Sequence, residues 1–573
     1  MVMSIHIRRL PHHAAVAAAT TPAALLNAVY ANRGVPADTE VTPPLAALEP
    51  AHSLRGLNAA ISLLEQQLLT GGHLLVIGDY DADGATGSAL AVRGLRALGA
   101  ARVSYLVPSR FDFGYGLTPK VVDIAAKQQP ALIITVDNGI SSAAAVTRAH
   151  ELGIPVLITD HHLTNQELPT AAAIVNPNQP NCDFPSKNLA GVGVMFYLLA
   201  ALRSRLREIG WFTTDRPEPN LTDFLDLVAL GTVADVVPLD RNNRILVEHG
   251  LRRIRAGRAC AGVLALFQIA GREFTRANTT DLSFFIAPRL NAAGRLEEMS
   301  LGVECLLTND LAQAQVLAQN LDQLNRRRHT IENDMKQQAE LHLSSLNLNN
   351  KTLPPAFCLY NDDWHQGVLG IIAARIRERY HRPVIAFANC GEGKLRGSGR
   401  SIDAVHLRDA IAEIAQTAPN LIEHFGGHAM AAGLTLRIEN FPHFQALFHT
   451  AVAAQLGTST PEIEILSDGA LSPQLLTLET AELLHFAQPW GRNFSAPSFD
   501  DCFNVTQARI VGEHHLKLRV TTAIGQSIDA IGFNLAENLP LAQGQVQLAY
   551  QLSINDYRGV RSPQLLVQAI QAI

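Results

Sequence analysis

Val76-Ile77-Gly78-Asp79-Tyr80-Asp81-Ala82-Asp83-Gly84 is entered by an apolar run, Leu74 to Ile77, and left by a helical pattern, Thr86 to Leu98. Three aspartates at alternate positions therefore stand where a strand ends and a helix begins. In an open α/β sheet that carboxyl edge is where ligands bind. A solvated turn rich in Asp and Gly would read the same way in isolation, so the distinction lies in the neighbouring segments.

Those segments alternate. Short β-branched or apolar runs, His73–Ile77, Ser104–Pro108, Ala131–Val136, Pro155–Thr159 and Ala172–Val175, are separated by helical stretches at Thr86–Leu98, Pro119–Lys127 and Ser141–Leu152. Strand and helix at this spacing read as βαβ units of a parallel sheet. Helices at Val192–Ile209 and Leu221–Leu230 follow, the second breaking into Gly231-Thr232-Val233-Ala234-Asp235.

Upstream, residues 1–50 form a proline-rich lead-in around one helix, Ala23–Ala31, that wraps a neighbour instead of folding alone. Residues 51–245 are expected to hold the parallel-sheet domain and 246–350 a helical connector, including a very polar helix from Leu311 to Leu343. Between 250 and 330 stand eleven arginines, no lysine and seven acidic residues, a net of about +4. Such a stretch is either a solvated connector or a binding surface. A second α/β unit fills 351–457, with strand Ala356–Tyr360, helix Gly367–Arg379, strand Pro383–Ala388, a glycine-rich turn Gly391–Gly399 and helix Leu407–Ala415. From 458 to 573 the period changes to two, as in His515–Thr521, Ser527–Phe533 and Gln545–Ile554, which predicts a small β-barrel. The fold class is thus α/β, with two α/β domains joined by a helical connector and followed by a barrel.

The chain has 573 residues, 47% hydrophobic and 17% charged, ordinary for a globular protein of roughly three to four domains. Its net charge of −6 excludes a uniformly basic nucleic-acid binder but not a local patch. Six scattered cysteines without a C-x-x-C pair fit neither a zinc site nor a disulfide framework, and point to a reducing cytoplasm. No apolar run approaches the ~20 residues of a membrane span. Arg8 and Arg9 before Ala14–Leu26 imitate a signal peptide only faintly, since the middle is alanine and threonine broken by Pro22.

Four segments of the first domain end in acidic or imidazole groups: Asp79/Asp81/Asp83, Asp137-Asn138-Gly139, Asp160-His161-His162 and Ala234-Asp235. The first three directly follow predicted parallel strands, so their side chains should converge on one sheet edge. An Asp-Asn-Gly turn or a surface His pair is common by itself; three such segments on one edge are not. Carboxylates this crowded cannot all stay ionised without compensation. Divalent cations compensate most simply, and oxygen-rich ligation with one or two imidazoles suits Mg²⁺ or Mn²⁺. Two such ions ~3.5–4 Å apart would serve an in-line displacement at phosphorus. The residues themselves therefore point to a metal-dependent phosphoesterase.

Asp160-His161-His162 resembles the signature of the DHH phosphoesterases. Gly78–Gly87 resembles the first motif of that family, Val136–Gly139 the second and Gly231–Asp235 the fourth. Gly426-Gly427-His428-Ala429-Met430-Ala431-Ala432-Gly433 resembles the glycine-histidine motif of the domain that accompanies its core. The family's exonuclease branch is matched further by Pro288–Arg295, by Gly397–Ser401 and, in the barrel, by Gly512–Leu518 and Ile554–Gly559. The likeness runs from about residue 23 to the C-terminus. It implies an OB-fold for the barrel and a metal-dependent exonuclease that degrades single-stranded DNA 5′ to 3′ in DNA repair and recombination. A single-strand-binding protein and a RecQ-type helicase are the candidate protein partners. Carried over by residue, Asp81, Asp83, Asp137, His161 and Asp235 would hold two metal ions. His162 would face the scissile phosphate, and Asp79 or Asp160 would be a ligand or an orienting group. Many relatives have a histidine where this chain has Ile77, which leaves the occupancy of one metal site open.

Arginine forks suit a 5′ phosphate best. The candidates are Arg110, Arg289 and Arg295 beside Asn291, and the Gly397–Ser401 turn with Ser398, Arg400 and Ser401. Gly426, Gly427 and His428 would hold a following phosphate. Tyr115, Trp490, Phe494 and Tyr557 are candidate base-stacking residues, with Lys517 and Arg519 as charges. Strand selectivity would be steric, from a passage between the two α/β domains. Two other readings stay open: a DHH phosphatase of short oligonucleotides or phosphonucleotides, and a catalytically dead DHH-like scaffold that binds DNA in replication. The barrel and the arginine-rich segment count against the first, and the intact acidic motifs against the second.

Overall fold

The computed structural model describes residues 5–573 apart from 37–42, 110–111, 115, 164–166, 346–352, 458–462, 488 and 558. Arg110 and Tyr115 therefore lie outside the described residues. The chain divides into two compact units, Arg9–Asn325 with Leu466–Ile573, and Arg326–Ile465 with Met1–Arg8.

The first unit carries the parallel sheet. Its strands are β1 (His73–Gly78), β2 (Arg102–Leu106), β3 (Leu132–Val136), β4 (Val156–Thr159) and β5 (Ala173–Val175), in the order β2-β1-β3-β4-β5 with every pair parallel. The helices between them are α1 (Ala82–Ala97), α2 (Pro119–Ala126) and α3 (Ala143–Glu151). Alternation of side chains sends Leu74 and Val76 of β1 into one core and Leu75 and Ile77 into the core on the other face. Covered on both sides, the strands read as continuous apolar runs. This order reverses direction between β1 and β3, the switch point at which such sheets bind ligands.

After β5 come α4 (Gly191–Glu208) and α5 (Leu225–Ala234). The predicted break at Gly231 is not there: α5 runs through it, because glycine lets that helix lie against α1. A Cβ on Gly231 would stand 2.2 Å from Thr86 Oγ1.

The segment expected as a connector divides. Residues of helices Arg241–Arg255, Ala261–Ile269, α6 (Ala287–Leu296) and Ser300–Leu307 share one apolar core with the sheet. The long polar helix, α7 (Leu311–Ser345), adds Leu321 and Leu324 to that core and Met335, Ala339 and Leu343 to a core of the second unit. At least six of the eleven arginines of this segment pair internally: Arg252 and Arg255 with Glu248, Arg253 with Asp223, Arg272 with Asp281, Arg289 with Asp322 and Arg328 with Glu332. For these six the basic-surface reading gives way to structural ion pairs.

In the second unit β6 (Phe357–Tyr360) and β7 (Val384–Asn389) pair in parallel around helix α8 (Leu369–Tyr380). Strands β8 (Lys394–Arg400), β9 (His424–Gly427) and β10 (Ala431–Arg437) complete an order β9-β10-β8-β7-β6. The expected turn Gly391–Gly399 is thus mostly strand. Its glycines make room for side chains packed on the sheet: a Cβ on Gly397 would meet Phe387 at 2.5 Å, and one on Gly399 would meet Leu407 at 2.7 Å.

The C-terminal strands β11 (Phe499–Val511), β12 (His515–Thr521), β13 (Ser527–Gly532), β14 (Gln545–Tyr557) and β15 (Val560–Ala572) close into a five-stranded barrel. One pair, β13 with β15, is parallel. The lead-in does wrap a neighbour. Leu25 and Val29 of helix Pro22–Ala31 enter the barrel's core, and Arg33 forks onto buried Asp468 at 2.8 and 3.0 Å.

Trp490 and Phe494 are corrected as stacking candidates. Phe494 is buried and stacked on Trp490 (5.3 Å between centroids), with Arg244 over the Phe494 ring at 4.1 Å and Arg33 over Trp490. They pack the barrel's approach against the core of the parallel sheet. Phe494→Ala is expected to cost about 3–5 kcal/mol of stability, read by thermal denaturation.

Candidate metal centre

The turns that follow β1, β3 and β4 of the parallel sheet are built to present carboxylates and imidazoles. After β1, Asp81 caps α1 with its own Oδ1, accepting from Gly84 N at 3.0 Å. The helix therefore starts at Ala82, four residues before the sequence pattern becomes helical, and Asp83 lies in its first turn. The Asp83 carboxylate accepts from the leading N–H groups of α4, Gly191 at 2.6 Å and Val192 at 3.0 Å. After β3, Asp137 adopts φ +64°, a left-handed conformation that is unusual outside glycine and gathers at functional sites. Gly191 fits closely under it, since a Cβ there would be 2.5 Å from Asp137 Cβ. Asn138 ties the neighbouring strand ends together, donating to Ile77 O and Val136 O.

After β4, Asp160 orients both histidines. Its Oδ1 accepts from His161 N, His162 N and His162 Nδ1 at 2.7, 3.1 and 2.7 Å, and its Oδ2 from Ile140 N. After β5, Asn178 donates to His161 O and Asn176 to His162 O. These two asparagines and Gly191 were missed as functional residues; Asn176-Pro177-Asn178 after a predicted strand was their only signal. Asp235 arrives separately, at the C-cap of α5.

The side chains converge. Asp137, His161 and His162 form one group, Asp83, His161 and Asp235 a second, and Asp79, Asp81 and Asp137 a third; within each, one donor atom per residue lies within 4.8 Å of the others. His161 Nε2 is 3.0 Å from Asp137, 3.5 Å from Asp235 and 4.0 Å from Asp83. Asp137 and His161 each belong to two groups. Ile77 is fully buried in the apolar core beside Leu75 and Ile133, so the first turn contributes carboxylates alone.

Burial, then the Asp81 charge, pushes Asp83 up to about 7, against the two hydrogen bonds from α4. Burial and then four surrounding aspartates, Asp83 first, raise Asp137 well above the carboxylate range, and burial followed by Asp83 and Asp81 does the same to Asp235. For Asp160 burial pulls upward too, but the hydrogen bond and charge of His162 hold it at about 2. Burial would lower His162, yet the Asp160 hydrogen bond and charge raise it to about 9. Because Asp160 is anionic, His162 Nδ1 is the donor between them. A donor set of five carboxylates and two imidazoles, packed until three of the acids resist ionisation, fits hard or borderline divalent cations.

Family models match the chain in three places: the DHH family N-terminal domain over residues 73–232, the DHHA1 domain over 353–454 and the RecJ OB domain over 467–569. A Salmonella typhimurium protein named single-stranded-DNA-specific exonuclease RecJ is 50% identical over 550 residues, 95% of each chain. The chain belongs to the RecJ family. Crystal structures of RecJ from Thermus thermophilus resemble it at 33% identity with Mn²⁺ (TM-score 0.80; 99% of this chain, 80% of that one) and at 32% with Mg²⁺ (TM-score 0.75; 99% and 79%). In RecJ terms the barrel is the OB domain and the second unit the DHHA1 domain.

The other predicted residues fall in three places. In the DHHA1 unit, Ser398 pairs across the sheet with Gly433, which pairs with Gly426; Gly399 and Gly427 both pair with Ala432. Ser398, Arg400, Gly426 and Gly427 thus sit on one patch of sheet, with exposed His428 just beyond. Ser401 is fully buried and its hydroxyl donates to Val405 O, which removes it from the contact set. In the catalytic unit Arg289 is committed to Asp322 at 2.8 Å and to Phe285 O, which argues against a phosphate clamp. Arg295 closes the same helix, partly buried, and Asn291 contacts the protein's own backbone. In the barrel, Lys517 and Arg519 both pair with Asp529, while Tyr557 is 63% exposed.

Proposed function

We propose that this chain hydrolyses single-stranded DNA from the 5′ end toward the 3′ end with two Mn²⁺ or Mg²⁺ ions as resident cofactors. The observation that carries the reading is the set of overlapping donor groups at the sheet's switch point, joined through Asp137 and His161. Asp79, Asp81, Asp83, Asp137, His161 and Asp235 would hold the ions. Divalent cations there supply an activated water nucleophile and charge for the phosphoryl oxygens. His162 faces the scissile phosphate; Asp160 holds its ring as the imidazolium, so Nδ1 donates to Asp160 while Nε2 donates to a phosphate oxygen. The intact acid set favours an enzyme over a DNA-binding scaffold, and the RecJ-type OB domain favours long single strands over short nucleotides.

Arg400 with Ser398 takes the 5′ phosphate, and Gly426, Gly427 and His428 the next one. Arg400→Ala is expected to raise KM for a 5′-phosphorylated oligonucleotide about 10–100-fold, the worth of a charge-assisted hydrogen bond, and to leave KM for the 5′-hydroxyl form unchanged. Tyr557 is the remaining stacking candidate on the barrel. We place the chain in the cytoplasm, where its six unpaired cysteines stay reduced, with a single-strand-binding protein and a RecQ-type helicase as partners. No helix among the described residues is long and apolar enough to cross a membrane.

Digestion of end-labelled single-stranded DNA, duplex DNA and RNA with Mn²⁺ or Mg²⁺ tests the proposal. A 5′ label should leave as a mononucleotide at the earliest times from single-stranded DNA alone. Early release of a 3′ label, or equal digestion of duplex, would overturn it.

A further inference from the structure

The turn that carries Asp79, Asp81 and Asp83 is held from outside its own sheet. Asn291, on α6, accepts a hydrogen bond at Oδ1 from Ala82 N at 2.8 Å. Ala82 is the first residue of α1, and the leading N–H groups of a helix have no partner within it. Asp81 takes the Gly84 N–H, and Asn291 takes that of Ala82. Gly294, one turn further along α6, lies so close that a Cβ there would be 1.8 Å from Tyr80 O. The same helix is anchored at Arg289, which pairs with buried Asp322. One face of α6 is therefore packed onto the backbone between Asp79 and Asp83. The three carboxylates on that turn repel one another, and a turn left to itself would relax by moving them apart.

We infer that Asn291 is a positioning residue for metal binding: it fixes the Ala82 N–H and with it the spacing of Asp79, Asp81 and Asp83, and it does not contact DNA. The inference rests on the metal-ion reading of the preceding section. A neutral amide suits the position because it accepts the hydrogen bond without adding another negative charge beside Asp81.

The test is Mn²⁺ binding alone, without DNA, followed by the free-ion electron paramagnetic resonance signal in the wild type, Asn291→Ala and Asn291→Asp. Asn291→Ala is expected to weaken Mn²⁺ binding about 10–100-fold, the usual effect of removing a group that orients metal ligands. Its KM for single-stranded DNA at saturating Mn²⁺ should stay within about twofold, since no substrate contact is lost. Asn291→Asp keeps the acceptor and should bind Mn²⁺ at least as tightly as the wild type. Wild-type Mn²⁺ affinity in the alanine variant, or a raised KM with unchanged Mn²⁺ binding, overturns the inference. If the alanine variant does not fold, the aspartate variant decides, and a Mn²⁺ affinity about tenfold below wild type overturns it. A wild-type chain that binds no Mn²⁺ removes the metal reading itself and the inference with it.

Discussion

Asp137→Asn is expected to lower hydrolysis of a labelled single-stranded oligonucleotide in Mn²⁺ by about a thousandfold or more, at or beyond the upper end of what losing one electrostatic group costs an active site. Asp137 belongs to two of the three donor groups, so its charge serves both. Asparagine is the informative replacement. The residue has φ +64°, and Asn tolerates that conformation where alanine would strain. The fold should therefore persist. The metal-free variant should melt no lower than the wild type at pH 8, because the buried acid it removes is held above its ordinary range by burial and by Asp83, Asp81, Asp235 and Asp79. Wild-type turnover in the folded variant would refute the shared-ligand role. A collapse of the metal-free melting temperature would show that Asp137 is instead part of the scaffold.

The metal-free protein should lose stability as pH rises from about 4 to 7, and Mn²⁺ should restore it. The sign follows from Asp83, which has an ordinary value of 3.8 and is pushed up to about 7 in the fold. Below the ordinary value the acid is protonated in both folded and unfolded chains and contributes nothing. Between the two values the folded chain binds the extra proton, so each pH unit of rise removes about 1.4 kcal/mol per such group; above the folded value the loss is complete. Asp137 and Asp235 shift in the same direction. Bound cations favour the ionised acids, so the Mn²⁺-induced rise in melting temperature should grow with pH and vanish in EDTA, as should activity. Thermal scans at pH 5 and pH 8, with and without Mn²⁺, measure this. A metal-free melting temperature that climbs between those pH values would contradict it.

Much of the centre was legible locally. A short apolar run, a turn and a helix need only near neighbours in sequence to be recognised, so β1, β3 and β4 were found with their terminal acids and histidines. The start of α1 was not. Gly84 and Gly87 lower helix propensity there, and part of what holds the first turn together is distant: Gly87 is pressed against Val136, and Ala82 N is bonded to Asn291. The run through Gly231 was missed for the same reason, since its helix continues because α1 fits against it.

Residue type also misled where pairing was long-range. Arginines between 250 and 330 read as either a solvated connector or a binding surface, yet Arg289 finds Asp322 and Arg253 finds Asp223. Trp490 and Phe494 read as open rings on a barrel, yet Phe494 is buried between Trp490 and Arg244. Asp79, left open between ligand and orienting group, falls into a donor group with Asp81 and Asp137, whereas Asp160 spends both oxygens on the backbone and His162.

The order of strands and helices and the kinds of side chain that end them were determined by the sequence itself, because periodicity and turn chemistry act over a few residues. Which acids meet one another, and which polar groups are consumed in holding them, was decided only by the tertiary structure. Those contacts join residues as far apart as Ala82 and Asn291, and nothing in local sequence records them.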